Sequence, residues 1–213
     1  MFDSAGESEI RRALLELTKD ERSGTRVMAV AALKRTSAEP LMMDRLMEMT
    51  NDEEWVASYA IEGLARAVQQ PKVWKHLLTM TNSPSHRLAA QAVAALGGVV
   101  SEPEVCQRLL ALTNDPELRD AAADALVAAL GNEEVWRRVM AVKFAPATEE
   151  PEIKAVELFT DPPERNARLR SAAKGVTTKM LDELSKFAEE SREARRWLEV
   201  LVGAQDAQRV QGA

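Results

Sequence analysis

Four threonines recur at almost constant spacing along the chain. The intervals from Thr18 to Thr50, Thr81 and Thr113 are 32, 31 and 32 residues, and each threonine ends an apolar run with helical periodicity. A polar turn residue stands two positions after each of them: Asp20, Asp52, Ser83 and Asp115. Self-similarity at a period of about 20–50 residues is typical of solenoids, in which each unit buries its apolar faces on its neighbours. The sequence therefore predicts a stack of helical hairpins.

The clearest hairpin lies between residues 104 and 131. An apolar run ends at Thr113, and Asp115-Pro116 then provides a favoured N-cap followed by a proline suited to the first helical position. These residues predict a second helix over 117–130. Gly131 follows, where a C-terminal glycine is expected.

The whole chain, 1–213, is predicted to be one all-α domain whose repeats become less regular towards the C-terminus. Regular repeats are expected over 8–145, a degenerate repeat over 146–176, a capping helix over 177–203 and a disordered tail over 204–213. Apolar positions within the capping helix thin out near Ser191, where we expect a break.

The composition limits the cellular compartments and the classes of partner that we expect for this protein. The net charge is −6, so the chain has no long-range attraction for a phosphate backbone, and nucleic acid is an unlikely partner. Cys106 is the single cysteine, which excludes an intramolecular disulfide. The N-terminus lacks the pattern of a signal peptide, and no apolar stretch reaches the length of a membrane span. We therefore expect a cytoplasmic protein that does not enter the membrane.

The start of the second helix in each hairpin carries a family resemblance. Residues 115–126, Asp-Pro-Glu-Leu-Arg-Asp-Ala-Ala-Ala-Asp-Ala-Leu, resemble the second-helix signature of HEAT repeats, and Ser83-Pro84 begins a similar segment. More closely, the segment is similar to the short bacterial repeats of phycobilin-lyase-like proteins. The second hairpin departs from the signature, because Val56 and Ala57 stand where an arginine is expected.

The repeat and the resemblance together predict a right-handed α-solenoid, a HEAT/armadillo-like superhelix of about five or six hairpins with a C-terminal helical cap. HEAT-like arrays serve many unrelated functions, so fold alone does not name an activity. We expect a non-enzymatic scaffold or adaptor that binds a partner protein along one face. Two alternatives are a HEAT-like DNA-binding protein or DNA glycosylase, and a bilin-lyase-like chaperone.

Aligning the first helices of the hairpins by their threonines produces a basic column, occupied in successive hairpins by Arg45, His76, Arg108 and Arg138. A ridge of such side chains would suit an acidic partner segment or a phosphate. The alternative is an ordinary solvated helix face. The neighbouring column contains Trp74 and Trp136, which are either inter-repeat packing or exposed interface anchors.

Three further groups of residues are candidates for partner contact or for alignment of the stack. The second helices are expected to line a concave side, with Arg66, Gln91 and Asp124 as candidate contacts. The C-terminal helix adds Phe187 and Trp197, whereas Trp55, outside the tryptophan column, is expected to be partly buried. Arginines early in the second helices are interpreted as structural, pairing with turn aspartates or carbonyls of their own or the next hairpin: Arg26, Arg87 and Arg119.

Motifs for catalysis or metal binding are lacking in the sequence. His76 and His86 are the only histidines, and neither has a carboxylate or cysteine at metal-ligand spacing. Cys106 is interpreted as a buried, inert thiol, because no histidine is placed beside it by the helical pattern. We therefore expect no metal, no cofactor and no enzyme chemistry.

Overall fold

The computed structural model describes residues 4–34, 39–144, 170, 173–189 and 192–211. Within these ranges the protein contains eleven α-helices and no strand, so the predicted all-α class is confirmed. The helices are α1 Ser4–Leu17, α2 Ser23–Leu33, α3 Pro40–Met49, α4 Glu54–Ala65, α5 Pro71–Met80, α6 His86–Leu96, α7 Pro103–Leu112, α8 Arg119–Ala128, α9 Glu133–Phe144, α10 Thr178–Ala188 and α11 Arg192–Gln211. Short 3-10 turns occupy Gly97–Val99 and Ala173–Gly175.

The chain divides into two compact units, an N-terminal unit, Met1–Val99, and a C-terminal unit, Val100–Ala213. In the N-terminal unit, α1 pairs with α2, α3 with α4 and α5 with α6, as three successive hairpins. The second helices α2, α4 and α6 pack against one another more extensively than the first helices do. The closer spacing places these three helices on the inner side of an α-solenoid. The right-handed twist and the single-domain organisation stay predictions.

Sequence features at the helix ends explain where the hairpins turn. Pro40, Pro71 and Pro103 lie in the first turn of α3, α5 and α7, where the missing N–H costs no hydrogen bond. The Asp115 carboxylate accepts from the backbone N–H groups of Glu117 and Leu118 at 2.9 and 3.4 Å in the turn before α8, whose N-cap residue is Leu118 and not, as predicted, Asp115. Helix α8 itself begins at Arg119, two residues later than predicted.

The C-terminal unit contains the hairpin α7–α8, and α9 packs against α7 and α10. Helices α10 and α11 pack against each other, and the predicted capping helix is divided between them, since α10 ends at Ala188 and α11 begins at Arg192. Ser191, where the break was expected, lies outside the described residues. Most of the predicted degenerate repeat, 146–176, lies outside the described residues.

The expected disordered tail, 204–213, is wrong for residues 204–211, which continue α11. Gln205 provides the physical reason, because its side-chain amide donates to the backbone carbonyls of Ala173 and Val176 at 3.1 and 2.6 Å. These bonds attach the end of the helix to the 3-10 turn that precedes α10. Polarity of the segment was therefore a poor guide to its order.

Gly131 has a different role from the predicted one. No described glycine has a positive φ, so Gly131 does not form a left-handed helix terminus. A Cβ at this position would lie 2.8 Å from the Cα of Gly175, and a Cβ on Gly175 would lie 2.7 Å from the Cα of Gly131. The two glycines allow two backbone segments of the C-terminal unit to approach closely.

Gly131→Ala should lower the free energy of unfolding by about 1–3 kcal/mol, since the added methyl group overlaps backbone that cannot rotate away. Urea denaturation followed by circular dichroism measures the change. Gly203→Ala is the matched control, because a Cβ there meets nothing within 4 Å. Gly203 lies inside α11, so its replacement should stabilise the protein by about 0.5–1 kcal/mol. Equal effects of the two substitutions would contradict the close approach.

Candidate protein-binding surface

The four repeated threonines close the first helix of each hairpin. Each hydroxyl donates to the backbone carbonyl three residues earlier, at distances of 2.6 Å for Thr18, 2.7 Å for Thr50, 2.8 Å for Thr81 and 2.7 Å for Thr113. All four side chains are buried. Three of these carbonyls, those of Met47, Leu78 and Leu110, also accept the backbone N–H of the same threonine at 3.3 Å, so the hydroxyl adds a second hydrogen bond at the buried helix end.

The basic column bonds to these threonines in the N-terminal unit. Arg45 donates from Nε to the Thr18 hydroxyl oxygen at 2.7 Å and from Nη2 to the Thr18 carbonyl at 3.1 Å. His76 Nε2 lies 2.9 Å from the Thr50 hydroxyl oxygen, and that hydroxyl hydrogen is already used in the helix. His76 therefore donates from Nε2. Arg45 and His76 are half-buried and join neighbouring hairpins, and their contact with a partner stays a prediction.

The remaining members of the basic column lie in the C-terminal unit. Arg108 is half-buried on α7. Arg138 is half-buried on α9 and donates from Nε to Glu134 at 3.0 Å, one turn earlier on the same helix. Its charge is thus balanced locally, and a carboxylate from a partner would have to displace Glu134.

Two of the early arginines align the stack as predicted. Arg26 forms a bidentate pair with Asp52 of the next hairpin, with both N–O distances at 2.8 Å, and also donates to the Asp20 carbonyl of its own turn. Arg119 donates to the Thr113 carbonyl of its own turn at 3.2 Å. Burial acts to raise the pKa of Asp52, but the hydrogen bonds from Arg26 and from the backbone outweigh it, so the net shift is downward.

The tryptophan column is core. Trp74 and Trp136 are buried, as are Met43 and Cys106 at the same repeat position. Burial also raises the pKa of the Cys106 thiol, consistent with an inert side chain. Trp197 is fully buried in the C-terminal unit. The packing interpretation is confirmed for this column, and none of these tryptophans is available as a surface contact.

Trp55 is the tryptophan that reaches solvent, and the expectation that it is partly buried is wrong. It lies in the first turn of α4 with 69% of its surface exposed. The next two residues, Val56 and Ala57, are completely buried and fill the core-facing positions of that turn. Trp55 is consequently directed away from the core, since successive helical positions differ by about 100°.

A guanidinium group from the neighbouring hairpin covers the Trp55 ring. The Cζ of Arg87, on α6, lies 4.9 Å from the ring centroid. Two hydrogen bonds hold the Arg87 guanidinium in place, one from Nε to Glu54 Oε1 at 2.6 Å and one from Nη1 to Ser58 Oγ at 3.2 Å. The hydrogen bond from Arg87 lowers the pKa of Glu54. Arg87 thus pairs with the preceding hairpin rather than with its own or the next turn, and it orders an exposed aromatic ring.

A groove lies between α4 and α6 beyond this cluster. Its volume is about 310 Å³, and it is lined by Ile61, Glu62, Ala65, Gln91, Ala94 and Ala95. Gln91 donates from Nε2 to Ser58 Oγ at 2.8 Å, so Ser58 connects the groove to the Arg87 cluster. The Oε1 atom of Gln91 is buried and has no hydrogen-bond partner among the described residues. Apart from Glu62 and Gln91, the groove walls are apolar, and the Gln91 side chain holds a buried acceptor without a partner among the described residues.

Other predicted contact residues lie apart. Arg66 follows the last residue of α4 and is exposed. Asp124 is exposed on α8, in the C-terminal unit. Phe187 is half-buried on α10, beside a cavity of about 530 Å³. Gln91 and Arg66 belong to one surface of the N-terminal unit, while Asp124 and Phe187 belong to the other unit.

Sequence reasoning missed Trp55 and Met28 as surface residues. Met28, on α2, is 72% exposed and is directed away from the buried Ala29 and Val30 beside it. In both cases the signal is a large apolar residue immediately before a pair of buried small or β-branched residues. The exposed side of α2, α4 and α6, which carries Met28, Trp55 and the groove, is called the B-helix face below.

The described part of the chain contains no group of three or more His, Cys, Asp or Glu side chains arranged to hold a metal ion. Among the described helices, none combines the length and the apolar character needed to cross a bilayer.

Comparison with known families agrees with the geometry. Residues 43–127 match the family model for HEAT repeats, which covers part of both compact units. A search of curated proteins finds no match to the chain.

Ser58→Ala should destabilise the protein by about 1–2 kcal/mol, because it removes the acceptor for both Arg87 and Gln91 within a partly buried network. Urea unfolding is the measurement. Ser185→Ala on the exposed side of α10 is the control and should change stability by less than about 0.5 kcal/mol. A neutral effect at Ser58 would show that the network does not order the surface.

The bond between His76 and Thr50 predicts a pH-dependent stability. Burial lowers the pKa of His76 below its ordinary value of 6.5. The unfolded chain therefore binds the proton more readily, so the contribution of His76 is complete above about pH 6.5 and is lost as the pH falls. His76→Gln, which keeps an N–H donor, should reduce the fall in Tm between pH 7 and pH 5. His86→Gln is the control and should keep the wild-type slope.

Proposed function

Because residues 43–127 of this chain are HEAT repeats, we propose that the protein is a non-enzymatic adaptor that binds a partner protein along the B-helix face. HEAT repeats generally mediate protein–protein interaction, and stacked hairpins provide extended surfaces for it. The observation that carries the proposal is Trp55, a tryptophan with 69% of its surface in solvent. Tryptophan is enriched among the few residues that dominate binding energy at interfaces.

The Trp55 side chain is already ordered in the free protein, which strengthens the proposal. The Arg87 guanidinium lies on the Trp55 ring and is itself held by Glu54 and Ser58. A side chain that is already fixed loses little conformational entropy on binding, so more of its contact energy appears as affinity. Met28 adds a second exposed apolar side chain on the neighbouring helix α2.

Charge on the B-helix face favours a protein over a nucleic acid. Three of its cations are paired with carboxylates of adjacent hairpins: Arg26 with Asp52, Lys34 with Glu62, and Arg87 with Glu54. Arg66 alone does not make a continuous basic groove. A DNA-binding protein or DNA glycosylase would need unpaired cations along its groove to displace counterions from phosphates. The bilin-chaperone alternative depends only on the repeat type. We keep the cytoplasm as the expected compartment, on the basis of the single cysteine.

A photoreactive amino acid tests the face directly. Benzoylphenylalanine at position 55, in extract of the source cell, should form a covalent adduct with another protein, because an exposed anchor lies inside the interface. Excess wild-type chain should suppress that adduct, and excess Trp55→Ala should not. Lys72, exposed on the first helix α5, is the control position and should form no adduct that the wild-type chain suppresses.

Two results would contradict the proposal. Specific adducts at position 72 in place of position 55 would put the interface on the first helices. Adducts to nucleic acid at position 55 would support the DNA-binding alternative.

A further inference from the structure

Three residues of the B-helix face lie in line along α4. Trp55, Glu62 and Arg66 are separated by seven and four residues, which places them on one stripe of the helix. Trp55 lies in the first turn of α4 and Arg66 follows its last residue, and the α4 residues that line the groove, Ile61, Glu62 and Ala65, lie between them in the chain. Eleven residues of helix separate Trp55 from Arg66, or about 16 Å.

The groove walls allow a polypeptide backbone to approach. Three of the six lining residues are alanines, Ala65, Ala94 and Ala95, whose side chains end at Cβ. The groove's volume of about 310 Å³ is smaller than that of one turn of a helix with a diameter of about 10–12 Å and a pitch of about 5.4 Å. It accommodates a single extended strand.

Gln91 is the groove residue whose side chain needs a hydrogen-bond donor. Its Oε1 atom has no hydrogen-bond partner among the described residues, although its Nε2 is held by Ser58. A buried acceptor without a donor is costly, so an occupant that donates an N–H group gains from it. An α-helix has used its interior N–H groups, whereas an extended segment presents them freely. The groove therefore selects an extended backbone once the Gln91 amide turns towards it.

Arg66 provides a positive charge that an acidic side chain of the partner could contact. It is exposed, while the other cations along this face, Lys34 and Arg87, are paired with Glu62 and Glu54. A carboxylate near the end of α4 would complement this guanidinium, which has no carboxylate partner among the described residues.

We propose that the groove between α4 and α6 binds an extended segment of a partner protein, with an apolar side chain on Trp55, a backbone N–H on Gln91 Oε1 and an acidic side chain on Arg66. At about 3.3 Å per extended residue, the apolar and acidic side chains are about five residues apart. This inference rests on the proposed function and adds the conformation and the sequence pattern of the partner.

The test uses the full chain and a phage-displayed library of random twelve-residue peptides. Selected peptides should carry Asp or Glu four to six residues from an aromatic or aliphatic residue. Their affinity, measured by fluorescence anisotropy, should fall about tenfold with Arg66→Glu and recover in part when the peptide acid is changed to Lys. Arg12→Glu, the same charge change at an exposed position on α1, is the matched control and should leave the affinity unchanged.

The backbone contact has its own test. Gln91→Met keeps the size of the side chain and removes the acceptor, so it should weaken binding several-fold. N-methylation of one peptide bond should cause the same loss in the wild-type protein and none in Gln91→Met. Circular dichroism of each variant checks that it is folded.

The two proposals fail in different ways. Peptides that lose affinity with Trp55→Ala but not with Arg66→Glu or Gln91→Met would overturn this inference and leave the B-helix face as the interface. Selected peptides that bind as helices, or that lack the acidic residue, would also overturn it. Peptides unaffected by Trp55→Ala, together with no protein adduct at position 55, would overturn the proposed function itself.

Discussion

A single hydroxyl group at each turn holds the hairpins of the N-terminal unit in register. Thr18 donates to the end of its own helix and accepts from Arg45 of the next hairpin, and Thr50 does the same with His76. The hydroxyl is suited to this because it is donor and acceptor at once. The buried helix ends at Thr18 and Thr50 thereby become the points where neighbouring hairpins are joined. The apolar contacts between hairpins depend on this register, because a slip along the helices would separate every buried pair.

Much of this architecture could be predicted from the chain. The threonine spacing fixed the number and length of the regular hairpins, and the apolar periodicity correctly assigned buried positions such as Val105, Leu109 and Leu126. Those inferences succeed because burial of apolar residues follows local periodicity. The roles of Arg45 and His76 could not be read the same way, because spacing places residues on a ridge but does not give the depth at which their polar ends find a partner. Gly131 required knowledge of Gly175, which is distant in sequence and near in space.

The binding surface was the least predictable part. Arg66 and Gln91 were expected on the second helices and lie there, but the exposure of Trp55 depends on which residue of the first turn faces the core. Val56 and Ala57 occupy those positions, so the largest side chain of the turn is left outside. The stacking of Arg87 on Trp55 joins two hairpins whose contact no local pattern reveals. A surface built from several repeats is a tertiary property even when every repeat is locally ordinary.

Each hydrogen bond between hairpins of the N-terminal unit, called a polar joint here, takes its acceptor from one hairpin and its donor from the next. The unit is therefore divided into equivalent intervals of thirty-one or thirty-two residues. Duplication of a gene fragment that encodes one such interval would add a donor and an acceptor together, and every joint in the longer protein would remain complete. An insertion or deletion of half an interval would leave an acceptor facing the wrong helix. Lengthening of the array is thereby restricted to whole hairpins, and a surface such as the Trp55 groove can change in one repeat without altering how its neighbours are joined.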